Sequence, residues 1–217
     1  MYTEAQKETL KRIEDIRIIP VIAIDDAAKA VPLAKALVAG GLPAAEVTFR
    51  TAAAEDAIRA IAAEVPEMLL GAGTVLTRDQ VDRAMDAGCT FLVSPGFNPN
   101  ITKYAIEKGA LMIPGTATPG EMEQAMELGL NVVKFFPAEA NGGVNYLKNV
   151  AGPYKNLKWM CTGGINPKNV KEYLAFKQIT ACGGTWMFKK DGVDLIKTEN
   201  WDAIVELCKE AVAAIAE

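Results

Sequence analysis

Not one histidine occurs among the 217 residues of this chain. That absence excludes Ser-His-Asp and Cys-His catalysis, histidine-ligated metals and the commonest general base. Proton transfer must fall to carboxylate, lysine, tyrosine or water. Cysteine is scarce as well. Cys89, Cys161, Cys182 and Cys208 form no CxxC pair and no metal-ligand spacing, so they read as small apolar packers, two of them in strands. Basic charge is in deficit, with a formal net charge of −4. A nucleic-acid footprint needs a basic patch or stripe, so nucleic acid is not an expected partner. Small anionic ligands stay open, because local groups read them.

Long hydrophobic runs are missing too. No apolar stretch approaches the roughly 18 residues of a membrane span. The opening segment, MYTEAQKETLKRIEDIR, is charged and amphipathic and carries no apolar signal-peptide core. The expectation is a cytoplasmic protein with no membrane partner. No Pro/Gly/Ser-rich or charged linker divides the chain, so residues 1–217 read as one domain. Half of the residues are hydrophobic but only 7% are aromatic, and Ala, Val and Ile abound. That composition fits helices packed on a parallel sheet.

What is present alternates. Strand-like apolar runs fall at Ile18–Ile24, Ala45–Phe49, Leu69–Thr74, Phe91–Ser94, Leu111–Pro114, Val132–Phe136, Trp159–Thr162 and Ile179–Gly183. Segments of helical period lie between them at Ala27–Ala39, Ala53–Glu64, Arg78–Ala87, Pro99–Lys108, Gly120–Leu128, Val144–Val150 and Lys168–Ala175. A last helix covers Trp201–Ala214, and an extra one, Glu4–Asp15, precedes the first strand. Gly40, Gly88, Gly109 and Gly129 stand where helices end. Thr77, Asn98 and Thr118 stand where N-caps are wanted, with Pro99 and Pro119 at the first helical position. The expected fold is an α/β (β/α)₈ TIM barrel with an extra N-terminal helix; an open doubly wound sheet is the alternative.

The sixth run, Asn131-Val132-Val133-Lys134-Phe135-Phe136-Pro137, holds a lysine at its centre. A short β-branched and aromatic run reads as a strand buried on both faces, where lysine is seldom found without a partner. Loss of water disfavours an ammonium, and a neutral lysine amine attacks carbonyls to give a Schiff base. The competing reading is a stem packed on apolar neighbours with its head snorkelling to a strand end.

In a barrel of this kind the active site lies at the C-terminal ends of the strands. Strand two ends Glu46-Val47-Thr48-Phe49-Arg50, and alternation puts Glu46, Thr48 and Arg50 on one face. These two charges are either a mutual ion pair or an acid/base group beside a carboxylate fork. Glycine pairs end strands seven and eight, in Thr162-Gly163-Gly164 and Gly183-Gly184-Thr185. They are either tight turns or a backbone cradle for phosphate. Gly71-Ala72-Gly73-Thr74-Val75-Leu76 lacks the third glycine of a dinucleotide fingerprint, so NAD is rejected. A buried nucleophile, an acid/base, a carboxylate anchor and a phosphate cradle are the parts of a metal-free aldolase for a phosphorylated 2-oxo acid.

These residues closely resemble the 2-keto-3-deoxy-6-phosphogluconate (KDPG) aldolase / 4-hydroxy-2-oxoglutarate (KHG) aldolase family. The resemblance is densest in EVTFRT (Glu46–Thr51), GAGTV (Gly71–Val75), SPG (Ser94–Gly96), KFFPAEANGG (Lys134–Gly143), TGGI (Thr162–Ile165) and GGTW (Gly183–Trp186). It implies a class I enzyme in a homotrimeric (β/α)₈ barrel, with pyruvate and a phosphorylated 2-oxo acid as ligands and no metal or cofactor. Carried over, it makes Lys134 the Schiff-base former and Glu46 the general acid/base. Arg50, Thr74 and Pro95 would hold the pyruvyl carboxylate, and Phe136 would pack on the pyruvyl portion. Gly163, Gly164, Gly184 and Thr185 would bind phosphate, and Thr162 would meet substrate hydroxyls. Thr185 stands where the family often has Ser, and Cys161 where Pro is common. The galactonate-configured phosphosugar acid is an alternative substrate. A phosphosugar epimerase or isomerase is a rival enzyme, and a non-catalytic phosphosugar-binding barrel is the rival of another class.

Overall fold

A computed structural model describes residues 2–216. The apolar runs become nine parallel strand segments: β1 (Ile18–Ile22), β2 (Ala44–Thr48), β3 (Leu69–Gly73), β4 (Phe91–Val93), β5 (Met112–Ile113), β6 (Gly115–Thr116), β7 (Val132–Phe135), β8 (Lys158–Thr162) and β9 (Ile179–Gly184). They pair in the order β5-β4-β3-β2-β1-β9-β8-β7-β6. The two ends of that series, β5 and β6, are one stretch of chain interrupted at Pro114. Proline has no N–H for the ladder, so a single fifth strand reads as two short segments. The sheet therefore curls into a nearly closed (β/α)₈ barrel, as the alternation predicts.

Helices follow the strands: α1 (Glu4–Ile16) precedes β1, then come α2 (Ala30–Ala39), α3 (Ala54–Glu64), α4 (Arg78–Asp86), α5 (Pro99–Glu107), α6 (Pro119–Glu127), α7 (Gly143–Val150), α8 (Val170–Leu174) and α9 (Trp201–Ala216). The capping expectations hold at Thr77, whose hydroxyl accepts from the Gln80 N–H at 3.1 Å, and at Asn98, whose amide oxygen accepts from the Asn100 N–H at 3.0 Å. Gly88, Gly109 and Gly129 take left-handed φ of 104°, 81° and 84° just past their helices. Gly40 does not. It keeps a right-handed φ of −80°, and Gly41 takes the left-handed turn at φ 86°. Gly40 is small for another reason: a Cβ there would meet the Val205 carbonyl at 3.0 Å and overlap Cys208, so it lets α2 approach α9.

Two helices begin later than their periodicity predicts. The stretch from Ala27 opens as a 3₁₀ turn, Ala27–Lys29, and α2 starts only at Ala30. Pro32 cannot donate to the Ala28 carbonyl, which blocks an α-helical turn at that point. The segment from Lys168 stays a turn until Val170, because Asn166 and Asn169 bond to local backbone instead.

Alternation sorts each strand's side chains into two cores. One set, with Val47, Ala72, Leu92, Cys161 and Cys182, packs beneath the helices. The other, with Ile19, Leu69, Phe91, Ile113, Val132 and Met160, fills the barrel interior. Ile13 of α1 joins the interior set, so α1 stoppers one mouth of the barrel. Lys158 Nζ to Glu14 Oε1 at 2.9 Å and Arg12 Nη2 to the Glu67 carbonyl at 2.8 Å hold the stopper in place. Burial pushes the Cys182 thiol up to about 12 and the Cys161 thiol well above its ordinary value, as suits apolar packers. No helix among the described residues is long and apolar enough to cross a membrane.

Candidate active site

The interior is not apolar throughout. Toward the C-terminal ends of the strands it contains a carboxylate from β2 and an amine from β7. Glu46 lies in register with Val21 and Gly71, and Lys134 with Gly115 and Met160. Their neighbours make room for them. A Cβ at Gly73 would overlap the Glu46 carboxylate and come within 2.7 Å of its Cγ. A side chain at Gly71 would instead run into the Phe91 ring beneath. The two glycines of GAGTV thus serve packing and the acid, not a dinucleotide.

Lys134 Nζ stands 3.2 Å from Glu46 Oε1, with side chains only 6% and 2% exposed. The lysine points inward to a carboxylate rather than snorkelling out. The same nitrogen lies 5.2 Å from the centre of the Phe136 ring. Glu46 Oε2 is buried and has no hydrogen-bond partner. Buried polar atoms are nearly always paired, so this oxygen is an acceptor open to a ligand.

Arg50 is not where alternation alone would put it. It lies past the end of β2, exposed, and does not pair with Glu46. Its Nε donates to the Thr48 hydroxyl at 3.0 Å, and that hydroxyl donates to the Ile22 carbonyl at 2.8 Å. The guanidinium is thereby aimed while its other donors remain for a ligand. The mutual ion-pair alternative is overturned: β2 ends two residues short of Arg50, and Lys134 takes the carboxylate. Thr48 is the residue that sequence reasoning left without a role. Its place on the Glu46 face was legible; its bridging position was not.

Thr74 follows β3 with φ 57°, a left-handed conformation that β-branched residues rarely adopt. Such strain gathers at functional sites. Thr162 Oγ1 is buried without a partner, and Gly183 is bare because a Cβ would strike that hydroxyl. Gly163 and Gly164 take φ of 105° and 81°, so the turn requires glycine at both positions. A Cβ at Gly184 would run into the Trp186 ring. The N–H groups of Gly163, Gly164 and Thr185 donate to no backbone carbonyl among the described residues.

These groups face one cleft of about 210 Å³, lined by Glu46, Thr48, Arg50, Thr74, Phe136, Thr162, Gly163, Gly164, Gly184 and Thr185, together with Val21, Ile165 and Gly183. Lys134 stands at its foot through the bond to Glu46. Pro95 is not part of the lining; its carbonyl fills the space beside Gly115. Size does not single this cleft out, since a hollow of about 310 Å³ opens beside Arg17 and Leu174. Chemistry does: here an amine, an acid, a guanidinium and a glycine turn converge.

The family model for KDPG and KHG aldolase matches residues 9–207. A 2-dehydro-3-deoxy-phosphogluconate aldolase of Haemophilus influenzae is 44% identical over 96% of this chain and 97% of its own length. The KHG/KDPG aldolase of Escherichia coli K12 is 46% identical over 90% of each chain. Among solved structures, a KDPG aldolase from Legionella pneumophila, with pyruvate captured at low pH as a covalent carbinolamine intermediate, superposes with a TM-score of 0.88. It is 38% identical, over 93% of this chain and 97% of that one.

Proposed function

The chain belongs to the KDPG and KHG aldolase family, and from that premise we propose how its cleft performs a class I aldol cleavage. The substrate is 2-keto-3-deoxy-6-phosphogluconate, and the products are pyruvate and glyceraldehyde 3-phosphate. The observation that carries the reading is the buried amine–carboxylate pair, Lys134 Nζ to Glu46 Oε1 at 3.2 Å, at the foot of the cleft.

That pair holds one mobile proton. Glu46 takes it from Lys134, and the free amine attacks the C2 ketone to form a carbinolamine. Glu46 returns the proton to the departing hydroxyl, which leaves as water, and an iminium ion remains. The same carboxylate then accepts the C4 hydroxyl proton as the C3–C4 bond breaks. The bonding pair flows into the iminium, giving an enamine and releasing the aldehyde. Protonation at C3 and hydrolysis yield pyruvate and regenerate Lys134. The iminium is the electron sink, so the reaction runs without a metal or cofactor. Arg50 and Thr74 hold the pyruvyl carboxylate. Phe136 covers the pyruvyl portion and Thr162 meets the substrate hydroxyls. Gly163, Gly164, Gly184 and Thr185 bind the phosphate.

4-Hydroxy-2-oxoglutarate, which lacks phosphate, is a second and weaker substrate, cleaved to pyruvate and glyoxylate. The enzyme acts in the cytoplasm as a homotrimer. Pyruvate release, followed with a coupled dehydrogenase, tests the assignment across the gluconate-derived and galactonate-derived phosphosugar acids and 4-hydroxy-2-oxoglutarate. The gluconate-derived acid gives the highest kcat/KM, unchanged by EDTA. A preference for the galactonate isomer, or loss of activity in EDTA, contradicts the proposal.

A further inference from the structure

One acidic side chain of the KFFPAEANGG segment takes no part in the proposed reaction. Glu139 opens the 3₁₀ turn Glu139–Asn141 after β7, and beyond its own turn and the Gly142-Gly143 pair that follows, it reaches the glycine turn after β8 and α8. Its N–H donates to the Gly163 carbonyl at 3.0 Å, beside the Ala138 N–H donating to the Thr162 carbonyl at 2.8 Å. Its side-chain stem occupies the space a residue at 164 would need, with Cγ 2.5 Å from where that Cβ would stand. Its carboxylate Oε1 accepts a hydrogen bond from the hydroxyl of Tyr173, a tyrosine only 1% exposed.

Other contacts complete the frame. A Cβ at Gly143 would lie 3.0 Å from Glu139 Oε1 and 3.2 Å from the Tyr173 oxygen, so this glycine leaves the pair its space. On the far side, Asn166 Nδ2 and Asn169 Nδ2 donate to the Gly164 carbonyl at 2.9 and 3.1 Å. The turn's carbonyls are therefore tied back on both flanks, which leaves its N–H groups toward the cleft. A backbone cradle binds an anion only while those groups converge. Among the described residues Arg50 is the only cation in the cleft's lining, and Lys134 stands at the foot beside Glu46, so the turn's geometry carries much of the anion recognition at its end. A carboxylate behind an anion site is unfavourable by charge alone, so its value there must lie in accepting from Tyr173. Burial, and then the bond to Glu139, push the Tyr173 hydroxyl well above its usual value, which keeps it a donor.

We propose that Glu139 and Tyr173 form a positioning pair that holds the Thr162-Gly163-Gly164 turn in its anion-binding shape and so sets the preference for phosphorylated substrates. The inference rests on the functional reading above. Its test compares two ligands that differ in phosphate: the KM for 2-keto-3-deoxy-6-phosphogluconate, and the pyruvate concentration that half-saturates borohydride inactivation. Glu139→Ala and Tyr173→Phe raise that KM about tenfold, the loss expected for one misdirected hydrogen-bonding group. Both leave the pyruvate half-saturation unchanged. Glu139→Gln, whose amide oxygen still accepts from Tyr173, keeps the wild-type KM within about twofold. No KM change in either disruptive variant, a parallel loss of pyruvate affinity, or Glu139→Gln behaving like Glu139→Ala would overturn the pairing. If wild type itself is not inactivated by pyruvate and borohydride, it is the Schiff-base reading that fails.

Discussion

A lysine and a glutamate placed together inside a barrel are costly to desolvate, and a well-packed apolar pair there is often no less stable. Their presence is therefore better explained by chemistry than by stability, which is the role the proposed function gives them. Gly73 exists in this fold to leave space for the Glu46 carboxylate. Gly73→Ala should fold, because its φ is not left-handed, yet it must push Glu46 aside. A misplaced general acid/base costs about 10²-fold or more, so kcat should fall by at least about that factor. An unchanged kcat in the pyruvate-release assay would separate Glu46 from the chemistry. Thr48 acts at one remove. Thr48→Val keeps the shape but deletes the bonds to Arg50 and the Ile22 carbonyl. The KM should rise about tenfold, roughly the worth of one well-aimed hydrogen bond, with kcat changing less. A fall in kcat at constant KM would instead tie Thr48 to the bond-breaking step. None of this bridging was legible in EVTFRT, where alternation shows a shared face but not where the strand stops.

Among the elements, those with strong local chemistry were the ones readable in the sequence. Thr77, Asn98 and Thr118 mark helix starts because their side chains compete for free N–H groups, which needs no tertiary partner. The misread starts at Ala27 and Lys168, and the role of Gly40, depend on Pro32, on an asparagine pair and on the approach of α9. Only the last needs the folded chain to be seen. The cap of α6 gives a pH-dependent prediction. Burial pushes the Glu121 carboxyl up, but the N–H groups of Ala117 and Thr118 and the Thr118 hydroxyl outweigh it and hold it below its usual value. A lowered carboxyl contributes stability above its unfolded-state value, about 4.3, which is lost as pH falls through the folded-state value. Glu121→Ala should therefore cost about 1 kcal/mol in urea denaturation at pH 7, and the gap from wild type should close toward pH 3. A gap independent of pH would show that packing, not the charged cap, is at stake.

At the scale of the whole molecule the barrel divides its labour along its axis. The N-terminal mouth is stoppered by α1 through Ile13, and the C-terminal mouth carries the converging polar groups. The polar C-terminal mouth was legible from the eight-fold alternation, since strand-end residues had only to make chemical sense together; the α1 stopper was not, because the seat of Ile13 is a tertiary contact. Pro95 was carried over by resemblance, and the cleft lining does not include it. The Glu139–Tyr173 pair was invisible for another reason: its partners are 34 residues apart and meet only across adjacent strand ends. Assembly is a further prediction at this scale. Light scattering should return three times the 23.2 kDa chain mass at micromolar concentration. A monomer mass would contradict the proposed trimer.

The central claim is that Lys134 is the amine that becomes covalently bound to substrate. Incubation with pyruvate and borohydride, followed by peptide mass spectrometry, tests it most directly. The account predicts a reduced carboxyethyl adduct on Lys134 alone, absent from Lys134→Met. An adduct on another lysine, or no adduct on active wild-type protein, would contradict it.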